Sequence, residues 1–533
     1  MPKYIFITGG VLSGLGKGSL TASIAKLLQL SNKKVSCMKI DPYLNVDAGT
    51  MNPLVHGEVF VTEDGGECDM DIGTYERFLN ITLTKRHNLT TGQVYLSVIK
   101  AERRGDYLGR CVQIIPHITD EIKSRIRELG KDEDILLVEC GGTVGDIEGL
   151  PFLEAFRQMK LEEGEENVFF IHLTLAPVLK PSNEIKTKPT QHSVQELRRI
   201  GIQPDMIVVR SEMPLSEEAK RKISLFTNVP LDAVISNPDL ENVYELPLLL
   251  YREGVLKPIV RKLNLGNVSP DLTKWEEIVM RMKNARETVK IGMIGKYTKL
   301  VDSYVSLNHA ILHAGAKLGI KPIIEWVDSE EVERSGVSML KSYDAIIIPG
   351  GFGKRGSEGK IMAIDFARKA KKPFFGICFG FQLSVVSFAR NVLGLKEANS
   401  TELDPNTPHP VIDLLPEQRE IKEMGATMRL GAHEIRVREG TLAWNIYRKN
   451  RIWKRHRHRY EVNPRYIELL EKGGLIFSGS SDNGRRQEIL ELPDHPFYLA
   501  TQYHPEFSSR LENPEPIFVS LLEAALKARG SKD

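Results

Sequence analysis

Short apolar runs rich in β-branched and aromatic residues alternate with segments of helical periodicity along the chain. In the first half these runs are YIFIT (4–8), VSCMKI (35–40), ILLVE (135–139), VFFIHL (168–173) and MIVVR (206–210). A second series begins after residue 288, with KIGMIG (290–295), PIIEWV (322–327), DAIIIPGG (344–351) and PFFGIC (373–378). Strands that alternate with helices are typical of parallel sheets covered by helices. We therefore expect an α/β fold with two doubly wound parallel sheets.

A turn-rich stretch followed by a charged amphipathic helix separates the two series. It reads LNLGNVSPDLTKWEEIVMRMKNARE at residues 263–287, a pattern typical of a connection between domains. We expect a first domain at 1–266, a linker with a bridging helix at 267–288, and a second domain at 289–533.

Composition narrows the class of protein. Hydrophobic residues make up 41% and charged residues 27%, which excludes collagen-like, mucin-like and disordered chains. The 72 basic and 70 acidic residues give a formal charge of +2, too small a field to hold nucleic acid or an anionic membrane. We expect a cytoplasmic location, because no apolar run approaches the ~18 residues of a spanning helix and the first residues lack a signal-peptide layout. Five cysteines without a C-x-x-C pair favour reduced thiols.

A glycine-rich loop joins the first predicted strand to the first predicted helix. The segment TGGVLSGLGKGSL (8–20) precedes apolar residues at helical spacing. In such a loop backbone N–H groups and the helix dipole hold phosphates, and Lys17 is the expected phosphate ligand. The match to the P-loop pattern G-x-x-x-x-G-K-[ST] is imperfect, because Val11 replaces the first glycine and Gly18 follows the lysine. A tight glycine turn without a ligand is the alternative.

Two acidic segments offer oxygen ligands for the Mg²⁺ that a bound nucleoside triphosphate needs. GGECDMDIGTYERF (65–78) places Asp69 and Asp71 in a loop, and Glu139 ends an apolar strand. A carboxylate at the carboxyl end of a parallel strand lies at the edge where such sheets bind ligands. A helix cap or a surface ion pair is the alternative for either segment.

A lysine pair suggests a second phosphate site. KTKPTQHS (186–193) sets Lys186 and Lys188 on one side of an extended segment before a proline, since side chains two residues apart share a face. Two parallel ammonium groups suit a phosphate chain, and a solvated charged loop is the competing interpretation.

A nucleophile is indicated in the second half of the chain. PFFGICFGFQ (373–382) runs from an apolar strand through Cys378 into a helix, a sharp turn that exposes a nucleophile at a helix amino end. In TQYHPEF (501–507) His504 and Glu506 are two residues apart, so in an extended segment the carboxylate can orient the imidazole.

The glycine turn at Gly350 and Gly351 could supply an oxyanion hole, because its backbone can approach a ligand closely. A lone cysteine is usually a small buried apolar residue, and a lone histidine is usually a hydrogen-bonded core residue. The three pieces together favour a Cys-His-Glu catalytic site.

The second half resembles class I glutamine amidotransferase domains, which carry G-[IV]-C-x-G-x-Q at the nucleophile and H-P-E at the histidine and glutamate. With GLGKGS, GGECDMDIGTYERF, VECGGTVGDIE and KTKPTQHS, the chain from about residue 3 to 520 resembles the CTP synthase family. The resemblance implies a P-loop-like amidoligase domain and a flavodoxin-like amidotransferase domain. It implies that MgATP phosphorylates O4 of UTP and that ammonia, channelled from glutamine hydrolysis, displaces the phosphate. It further implies activation by GTP, feedback inhibition by CTP, and a homotetramer formed through the amino-terminal domains.

The resemblance also assigns roles to residues by position. For catalysis it implies Cys378, His504 and Glu506, and for Mg²⁺ it implies Asp71 and Glu139. For ATP it implies Gly14, Leu15, Gly16, Lys17, Gly18, Ser19, Lys39, Asp71, Asp239 and Leu240. For UTP and CTP it implies Ser13, Asp146, Ile147, Glu148, Lys186, Thr187, Lys188, Pro189, Thr190, Gln191 and Lys222. For glutamine it implies Gly351, Phe379, Gly380, Phe381, Gln382, Glu402 and Arg459, and for a GTP-responsive lid Phe352, Gly353 and Arg355.

The family pattern is broken beside the nucleophile, where Phe379 and Phe381 replace the commoner Leu and Met but keep apolar bulk. The basic run RIWKRHRHRYEV (451–462) would suggest nucleic acid if it stood alone. Because the overall charge is near neutral and Arg459 matches a ligand of the glutamine carboxylate, we predict neither nucleic acid nor membrane as a partner.

Two other functions are alternatives to the one that the resemblance implies. The first is an ATP-dependent ligase that amidates a carboxylate. The segments KTKPTQHS and VGDIE argue against it, because they favour a nucleotide substrate. The second is a nucleotide-gated scaffold that polymerises without catalysis, against which the intact Cys378, His504 and Glu506 argue.

Overall fold

The computed structural model describes residues 2–51, 56–180, 182–296, 301–415 and 428–530. The chain divides into two compact units, of which the first combines Met1–Thr50 with Cys68–Val279. The second combines Met51–Glu67 with Met280–Asp533. Residues 51–67 therefore group with the second unit, although the sequence places them inside the first domain. The domain limits expected from the sequence, 1–266 and 289–533, stay a prediction.

The amino-terminal part of the chain alternates strands and helices. Its strands are β1 (Lys3–Gly9), β2 (Val35–Asp41), β3 (Phe60–Val61), β4 (Glu67–Cys68), β5 (Asn88–Thr90), β6 (Ile135–Cys140), β7 (Val168–Leu175), β8 (Val178–Leu179), β9 (Glu184–Ile185), β10 (Met206–Ser211) and β11 (Val234–Pro238). Its helices are α1 (Lys17–Gln29), α2 (Met70–Leu79), α3 (Thr91–Arg104), α4 (Thr119–Gly130), α5 (Leu150–Glu163), α6 (Lys188–Arg199), α7 (Glu217–Thr227), α8 (Leu246–Arg252), α9 (Leu256–Leu263) and α10 (Thr273–Asn284).

A parallel sheet of seven strands forms the centre of the first unit, in the order β11-β10-β7-β1-β6-β2-β5. Its strands are almost entirely buried, as their continuous apolar runs predict. Because the strands are parallel, their carboxyl ends share one edge. The glycine loop after β1, Lys39 on β2 and Glu139 on β6 all lie towards that edge.

The carboxy-terminal part continues the alternation. Its strands are β12 (Thr288–Gly295), β13 (Lys321–Asp328), β14 (Ala345–Ile348), β15 (Phe374–Ile377), β16 (Ala398–Ser400), β17 (His409–Asp413), β18 (Arg429–Val437), β19 (Arg451–His458), β20 (Glu461–Val462), β21 (Ile476–Ser481), β22 (Arg486–Glu491) and β23 (Tyr498–Thr501). Its helices are α11 (Val305–Leu318), α12 (Ser329–Ser335), α13 (Ser357–Lys369), α14 (Phe379–Asn391), α15 (Leu442–Tyr447), α16 (Pro464–Lys472) and α17 (Pro516–Gly530).

The main sheet of the second unit has nine strands in the order β13-β12-β14-β15-β23-β22-β21-β18-β19. The first five strands of this order are parallel, which agrees with the expected doubly wound arrangement. From β22 onwards the sheet is antiparallel. The sequence did not predict this extension, because β19, which reads RIWKRHRH, lacks the apolar pattern of a buried strand.

Residues 56–67 join the second unit through polar contacts. Arg455 Nη1 donates to the Val61 carbonyl at 3.1 Å, and Arg457 Nε donates to Glu67 Oε1 at 2.8 Å. Such contacts join residues about 390 positions apart in the chain, so no local sequence pattern reveals them.

The expected amphipathic helix between the two series is α10. Trp275 anchors its first turn in the first unit, where the buried indole stacks near Phe78 and Nε1 donates to the Tyr244 carbonyl at 2.9 Å. The division between the units falls inside this helix. Within the described ranges, no helix has both the length and the apolar character needed to cross a membrane.

Candidate functional site

The glycine loop of the first unit adopts a backbone that ordinary residues avoid. Gly14 and Gly16 have φ angles of 75° and 92°, and α1 begins directly afterwards at Lys17. Val11, which replaces the first glycine of the P-loop pattern, has a φ of 76°. A β-branched residue in this region is strained, and such strain is concentrated at functional sites.

The second departure from the P-loop pattern, Gly18 in place of serine or threonine after Lys17, lies in a closely packed part of the structure. Lys17 is buried, and its Nζ donates to the Gly142 carbonyl at 2.9 Å. A Cβ on Gly9 would lie 2.8 Å from Lys17 Nζ, and a Cβ on Gly18 would lie 1.9 Å from Asp71 Oδ1. A serine or threonine after the lysine would therefore displace the Asp71 carboxylate from its present position.

A buried lysine gathers four carboxylates beside this loop. Lys39 Nζ lies 3.3 Å from Glu139 Oε1, 3.4 Å from Asp69 Oδ1 and 3.8 Å from Asp41 Oδ1. It also donates directly to Asp71 Oδ2. The structure therefore brings together the acidic residues that the sequence selected from separate segments. Asp71 lies in the first turn of α2 rather than in a loop, and the Asp69 carboxylate caps that helix by accepting from the Asp71 N–H.

Three of the four carboxylates, Asp41, Asp71 and Glu139, have shifted pKa values. Burial raises the pKa of Glu139 to about 7 and that of Asp41 to about 8, although Lys39 opposes both shifts. Burial would also raise the pKa of Asp71, but the Lys39 ammonium outweighs it and holds that pKa below its usual range. The Tyr75 hydroxyl donates to Glu139 Oε2. The cluster thus holds one firmly ionised carboxylate beside groups that titrate near neutral pH.

The donor set suits a hard divalent cation. Asp71 and Glu139 offer carboxylate oxygens, and Mg²⁺ prefers one or two carboxylates together with phosphate oxygens. Searching the described residues finds no group of three or more His, Cys, Asp and Glu side chains arranged as a metal site. Lys39 contacts both carboxylates, so a cation would compete with this ammonium.

The three lysines expected at UTP lie in two segments, Lys186 and Lys188 in one and Lys222 on α7. Lys186 Nζ lies 2.6 Å from Glu184 Oε2, and both Lys186 and Lys222 lower the pKa of that carboxyl. Lys188 Nζ lies 5.7 Å from the ring centroid of Phe226, which is one turn beyond Lys222 on α7. Whether these lysines form a phosphate site or a solvated charged loop stays a prediction.

The segment that carries two of these lysines is not extended throughout. Helix α6 begins at Lys188 and has Pro189 in its first turn, where proline is favoured because its missing N–H needs no partner. The side chains of Thr187, Thr190 and Gln191 are buried, and Gln191 Nε2 donates to Thr187 Oγ1 at 3.1 Å.

The remaining residues expected at the nucleotides follow other strands of the same sheet. Exposed loops hold Ser13, Asp146, Ile147 and Glu148, and the end of β11 leads into Asp239 and Leu240. Asp239 Oδ1 accepts from Arg210 Nε at 2.8 Å, and Asp146 Oδ2 accepts from the backbone N–H of Thr143 at 2.8 Å.

The nucleophile turn of the second unit has the expected shape. Cys378 lies between β15 and α14 with φ 52° and ψ −97°, a strained conformation typical of a nucleophile at a strand-to-helix turn. Its side chain is buried, although the sequence predicts an exposed one. A Cβ on Gly380 would lie 2.3 Å from the Ile348 carbonyl oxygen. A Cβ on Gly376 would lie 2.9 Å from the Gly380 backbone. Both glycines are needed for the turn to pack this tightly.

The histidine and glutamate are paired, although by a different backbone from the one expected. Glu506 lies in a short 3₁₀ turn, Pro505–Ser508, rather than an extended segment. His504 Nδ1 and Glu506 Oε1 are 2.7 Å apart. Burial would lower the pKa of His504, but Glu506 and Cys378 outweigh burial and raise it to about 10. The imidazole is therefore held as a cation beside the thiol.

The expected oxyanion turn lies against both catalytic side chains. A Cβ on Gly350 would be 3.0 Å from His504 Cε1 and 3.7 Å from Cys378 Cβ. The Cys378 Sγ lies 3.7 Å from the Arg457 carbonyl oxygen and 3.8 Å from Gln502 Nε2. Cysteine, histidine, glutamate and glycine turn thus form one site.

The residues expected to bind glutamine and to form the lid are linked to each other. Glu402 Oε1 accepts from the Gly353 N–H at 2.7 Å. Lys296 Nζ donates to the carbonyls of Phe352 and Gly353 at 2.6 and 2.8 Å. Burial raises the pKa of Glu402, which the charges of Lys296 and Arg459 partly oppose. Glu402 and Arg459 therefore share one pocket with the lid backbone.

The two phenylalanines beside the nucleophile face the core. Phe379 and Phe381 are buried in the hydrophobic cluster of the second unit, and Gln382 Nε2 donates to the Tyr460 carbonyl at 3.0 Å. Phe352 and Arg355 are exposed by contrast.

The basic run on β19 is neutralised by internal acceptors. The pairs are Lys454–Glu515, His456–Glu488, Arg457–Glu67 and His458–Glu461, at 2.6 to 3.0 Å. These side chains serve the packing of the second unit.

Comparison with known proteins identifies the family. A family model described as CTP synthase N-terminus matches residues 3–265, and one described as Glutamine amidotransferase class-I matches residues 299–524. A CTP synthase of Pyrococcus furiosus is 59% identical over 534 residues, covering 100% of this chain and 99% of that protein. The chain belongs to the CTP synthase family.

Other CTP synthases match over similar lengths. That of Thermococcus gammatolerans is 59% identical and covers 98% of this chain and 99% of its own, and that of Aeropyrum pernix is 57% identical with 99% of each covered. A solved structure of the glutaminase domain of Trypanosoma brucei CTPS with bound acivicin is 38% identical over 45% of this chain and 94% of its own, with a TM-score of 0.43. Membership confirms the predicted α/β fold and a glutamine-hydrolysing CTP synthase, a carbon-nitrogen ligase. The roles of individual residues stay predictions.

Sequence reasoning missed several groups in these sites. Asp41 ends β2, so the strand-end argument that selected Glu139 could have found it. Lys296 likewise follows the carboxyl end of β12. Tyr75 shares a motif with Asp71, yet no spacing rule marks a tyrosine as the partner of a carboxylate on another strand.

Proposed function

We propose that this CTP synthase aminates UTP to CTP with ATP, drawing nitrogen from glutamine or from free ammonia. One observation carries the proposal: a strained glycine loop beside a lysine-carboxylate cluster and a separate Cys-His-Glu arrangement occur in the same chain. A ligase that also releases its own ammonia requires both kinds of site.

In the first unit, the N–H groups at the start of α1 and the Lys17 ammonium bind the ATP phosphates. Asp71 and Glu139 would hold Mg²⁺, which supplies neutralisation of phosphate charge when bound. Lys186, Lys188 and Lys222 bind the UTP phosphates. The UTP O4 attacks the γ-phosphorus, the bond to ADP breaks, and ammonia then forms a bond to C4 as phosphate leaves.

In the second unit, Cys378 attacks the amide carbon of glutamine. The imidazolium of His504 protonates the leaving ammonia, and Glu506 keeps the ring oriented. Backbone N–H groups of the Gly350 and Gly351 turn stabilise the oxyanion. Water, deprotonated by His504, then hydrolyses the thioester, so that glutamate leaves and ammonia passes to the first unit through a tunnel.

Glutamine binding and regulation share the pocket around Glu402. We assign the glutamine amino group to Glu402 and its carboxylate to Arg459. The lid of Phe352, Gly353 and Arg355 would answer to GTP, because its backbone already contacts Glu402 through Gly353. CTP would inhibit by overlapping UTP at the lysine cluster.

An exposed apolar surface supports a homotetramer formed through the first unit. Leu96 and Ile99 on α3 are exposed, as are Leu108, Ile114 and Ile115 in the segment that follows. Large exposed aliphatic side chains grouped in one stretch of sequence are typical of a subunit interface. The cytoplasmic location stays a prediction.

The deciding experiment supplies ATP, UTP and ammonium chloride at raised pH to the purified protein and follows CTP formation. CTP that appears only with ATP supports the proposal. Phosphate release with glutamate analogues and none with UTP would instead support the carboxylate ligase, and no turnover would support the scaffold.

A further inference from the structure

Polar contacts tie strand β7 to helix α6 inside the first unit. His172 and Thr174 are two residues apart on β7 and share a face, as do Thr190 and Ser193, three apart on α6. His172 Nε2 lies 2.8 Å from Ser193 Oγ, and Thr174 Oγ1 lies 3.0 Å from Thr190 Oγ1. All four side chains are buried. Strand and helix therefore meet in a fixed register.

The same histidine reaches the strand that leads into the glycine loop. Thr8 on β1 is the cross-strand neighbour of His172, and its Oγ1 lies 2.8 Å from His172 Nδ1. A Cβ on Gly10 would lie 1.5 Å from Ser193 Oγ and 3.0 Å from His172 Nε2. The backbone of the glycine loop consequently packs directly on the histidine-serine pair.

The direction of each hydrogen bond follows from the charge of the ring. Burial, with a smaller effect of Lys17, lowers the pKa of His172 to about 3, so the ring is neutral near pH 7. A neutral imidazole has one donor and one acceptor. Thr8 Oγ1 also lies 3.4 Å from the Ile171 carbonyl oxygen. This second acceptor favours the tautomer in which His172 Nδ1 donates to Thr8 Oγ1 and His172 Nε2 accepts from the Ser193 hydroxyl.

We propose that His172 is a positioning residue that sets the spacing between the ATP loop and the UTP segment, a role that rests on the proposed function. Through Thr8 it holds the strand entering the glycine loop, and through Ser193 it holds the helix whose first turn contains Lys188. UTP binding depends on this spacing, because Lys188 in the first turn of α6 is proposed to contact the UTP phosphates.

The test separates the two contacts with paired amide substitutions. His172→Asn keeps a donor near the Nδ1 position towards Thr8 but does not reach Ser193, whereas His172→Gln reaches Ser193 and loses Thr8. We expect His172→Asn and Ser193→Ala each to raise the KM for UTP about tenfold, the worth of the charge-assisted contact that a displaced Lys188 would lose, with the KM for ATP within about twofold. The double variant should be no worse than either single variant, because both remove the same contact. His172→Gln should instead raise the KM for ATP.

The control is Thr227→Val, which removes a buried hydroxyl that donates to the Ile223 carbonyl at 2.6 Å on α7. It should lower the melting temperature and leave both KM values unchanged. Ammonia-dependent CTP formation and the melting temperature are measured for every variant of the full chain.

The proposal would be contradicted if His172→Asn and Ser193→Ala were both active and kept the wild-type KM for UTP. A lower melting temperature alone would show that His172 contributes only to the stability of the core. Ser193→Ala removes a single oxygen, so it keeps the test decisive if the histidine variants do not fold. A wild-type protein that makes no CTP from ATP, UTP and ammonia would overturn the proposed function itself, which distinguishes the two failures.

Discussion

The catalytic groups of the two units are organised in opposite ways. In the second unit Glu506 already holds His504, and the strained turn already presents Cys378. In the first unit the carboxylates proposed for Mg²⁺, Asp71 and Glu139, are paired with Lys39. The proposed glutaminase site is therefore assembled by the protein's own contacts, whereas at the proposed phosphoryl-transfer site nucleotide and cation would have to replace internal ion pairs.

The largest effect should come from the phosphate loop. Lys17→Ala removes a buried positive charge from the phosphates in the transition state, and we expect CTP formation to fall about 10³- to 10⁵-fold with both nitrogen sources. Initial rates with glutamine and with ammonia measure this. The control is Lys123→Ala, a buried lysine that pairs with Glu162 at 2.6 Å away from the loop. Normal ammonia-dependent synthesis by Lys17→Ala would contradict the assignment of the glycine loop to ATP binding.

The next effect should be confined to glutamine. Glu506→Gln leaves the imidazole present but badly oriented, so glutamine-dependent synthesis should fall about 10²- to 10⁴-fold while ammonia-dependent synthesis is retained.

The same variant tests the pKa of His504 near 10. The Glu506 carboxylate stabilises the charged ring, so its loss lowers that pKa and the imidazolium is lost at a lower pH. The alkaline limb of glutaminase activity should shift towards acid in Glu506→Gln. If the alkaline limb lies at the same pH in Glu506→Gln and in the wild type, His504 is not the group that titrates there.

The lysine cluster should affect UTP more weakly. Lys186→Ala, Lys188→Ala and Lys222→Ala each remove a charge-assisted contact of about 1.5 to 3 kcal/mol, so UTP should bind about 10- to 100-fold more weakly. Glutaminase activity should not change. Lys220→Ala is the matched control, since Lys220 lies on the same helix and pairs with Glu253 at 2.9 Å. Equal UTP affinity in all four variants would return the cluster to a solvated loop.

The smallest effect should come from the lid. Lys296→Met removes the ammonium that donates to the carbonyls of Phe352 and Gly353. Because Lys296 is only partly buried, we expect the KM for glutamine to rise about threefold to tenfold, and ammonia-dependent synthesis to stay unchanged. Lys321→Met, at the exposed start of β13, is the control. A change in the ammonia reaction would contradict the separation of the sites.

Local patterns made much of the molecule predictable. The glycine loop, the Cys378 turn and the parallel strands each depend on neighbours in sequence, so residue type and spacing suffice to recognise them. The strands found at Lys3–Gly9 and Val35–Asp41 include the apolar runs expected there.

Long-range polar contacts made the rest unpredictable. Strand β19 carries charged residues whose partners, such as Glu488 for His456, lie on other strands. The grouping of residues 51–67 with the second unit depends on Arg455 and Arg457, far along the chain. Neither feature produces a hydrophobic periodicity in the sequence, and this periodicity is the main signal of secondary structure that a single sequence offers.

The separation of the two sites is tested most directly by Cys378→Ala. This change removes the covalent route to ammonia and touches none of the groups proposed for ATP or UTP. CTP formation is measured with glutamine and, separately, with ammonium at raised pH. We predict that synthesis from glutamine falls to background while synthesis from ammonia keeps its wild-type rate within about twofold. Retained glutamine-dependent synthesis, or loss of both activities, would contradict two chemically independent sites.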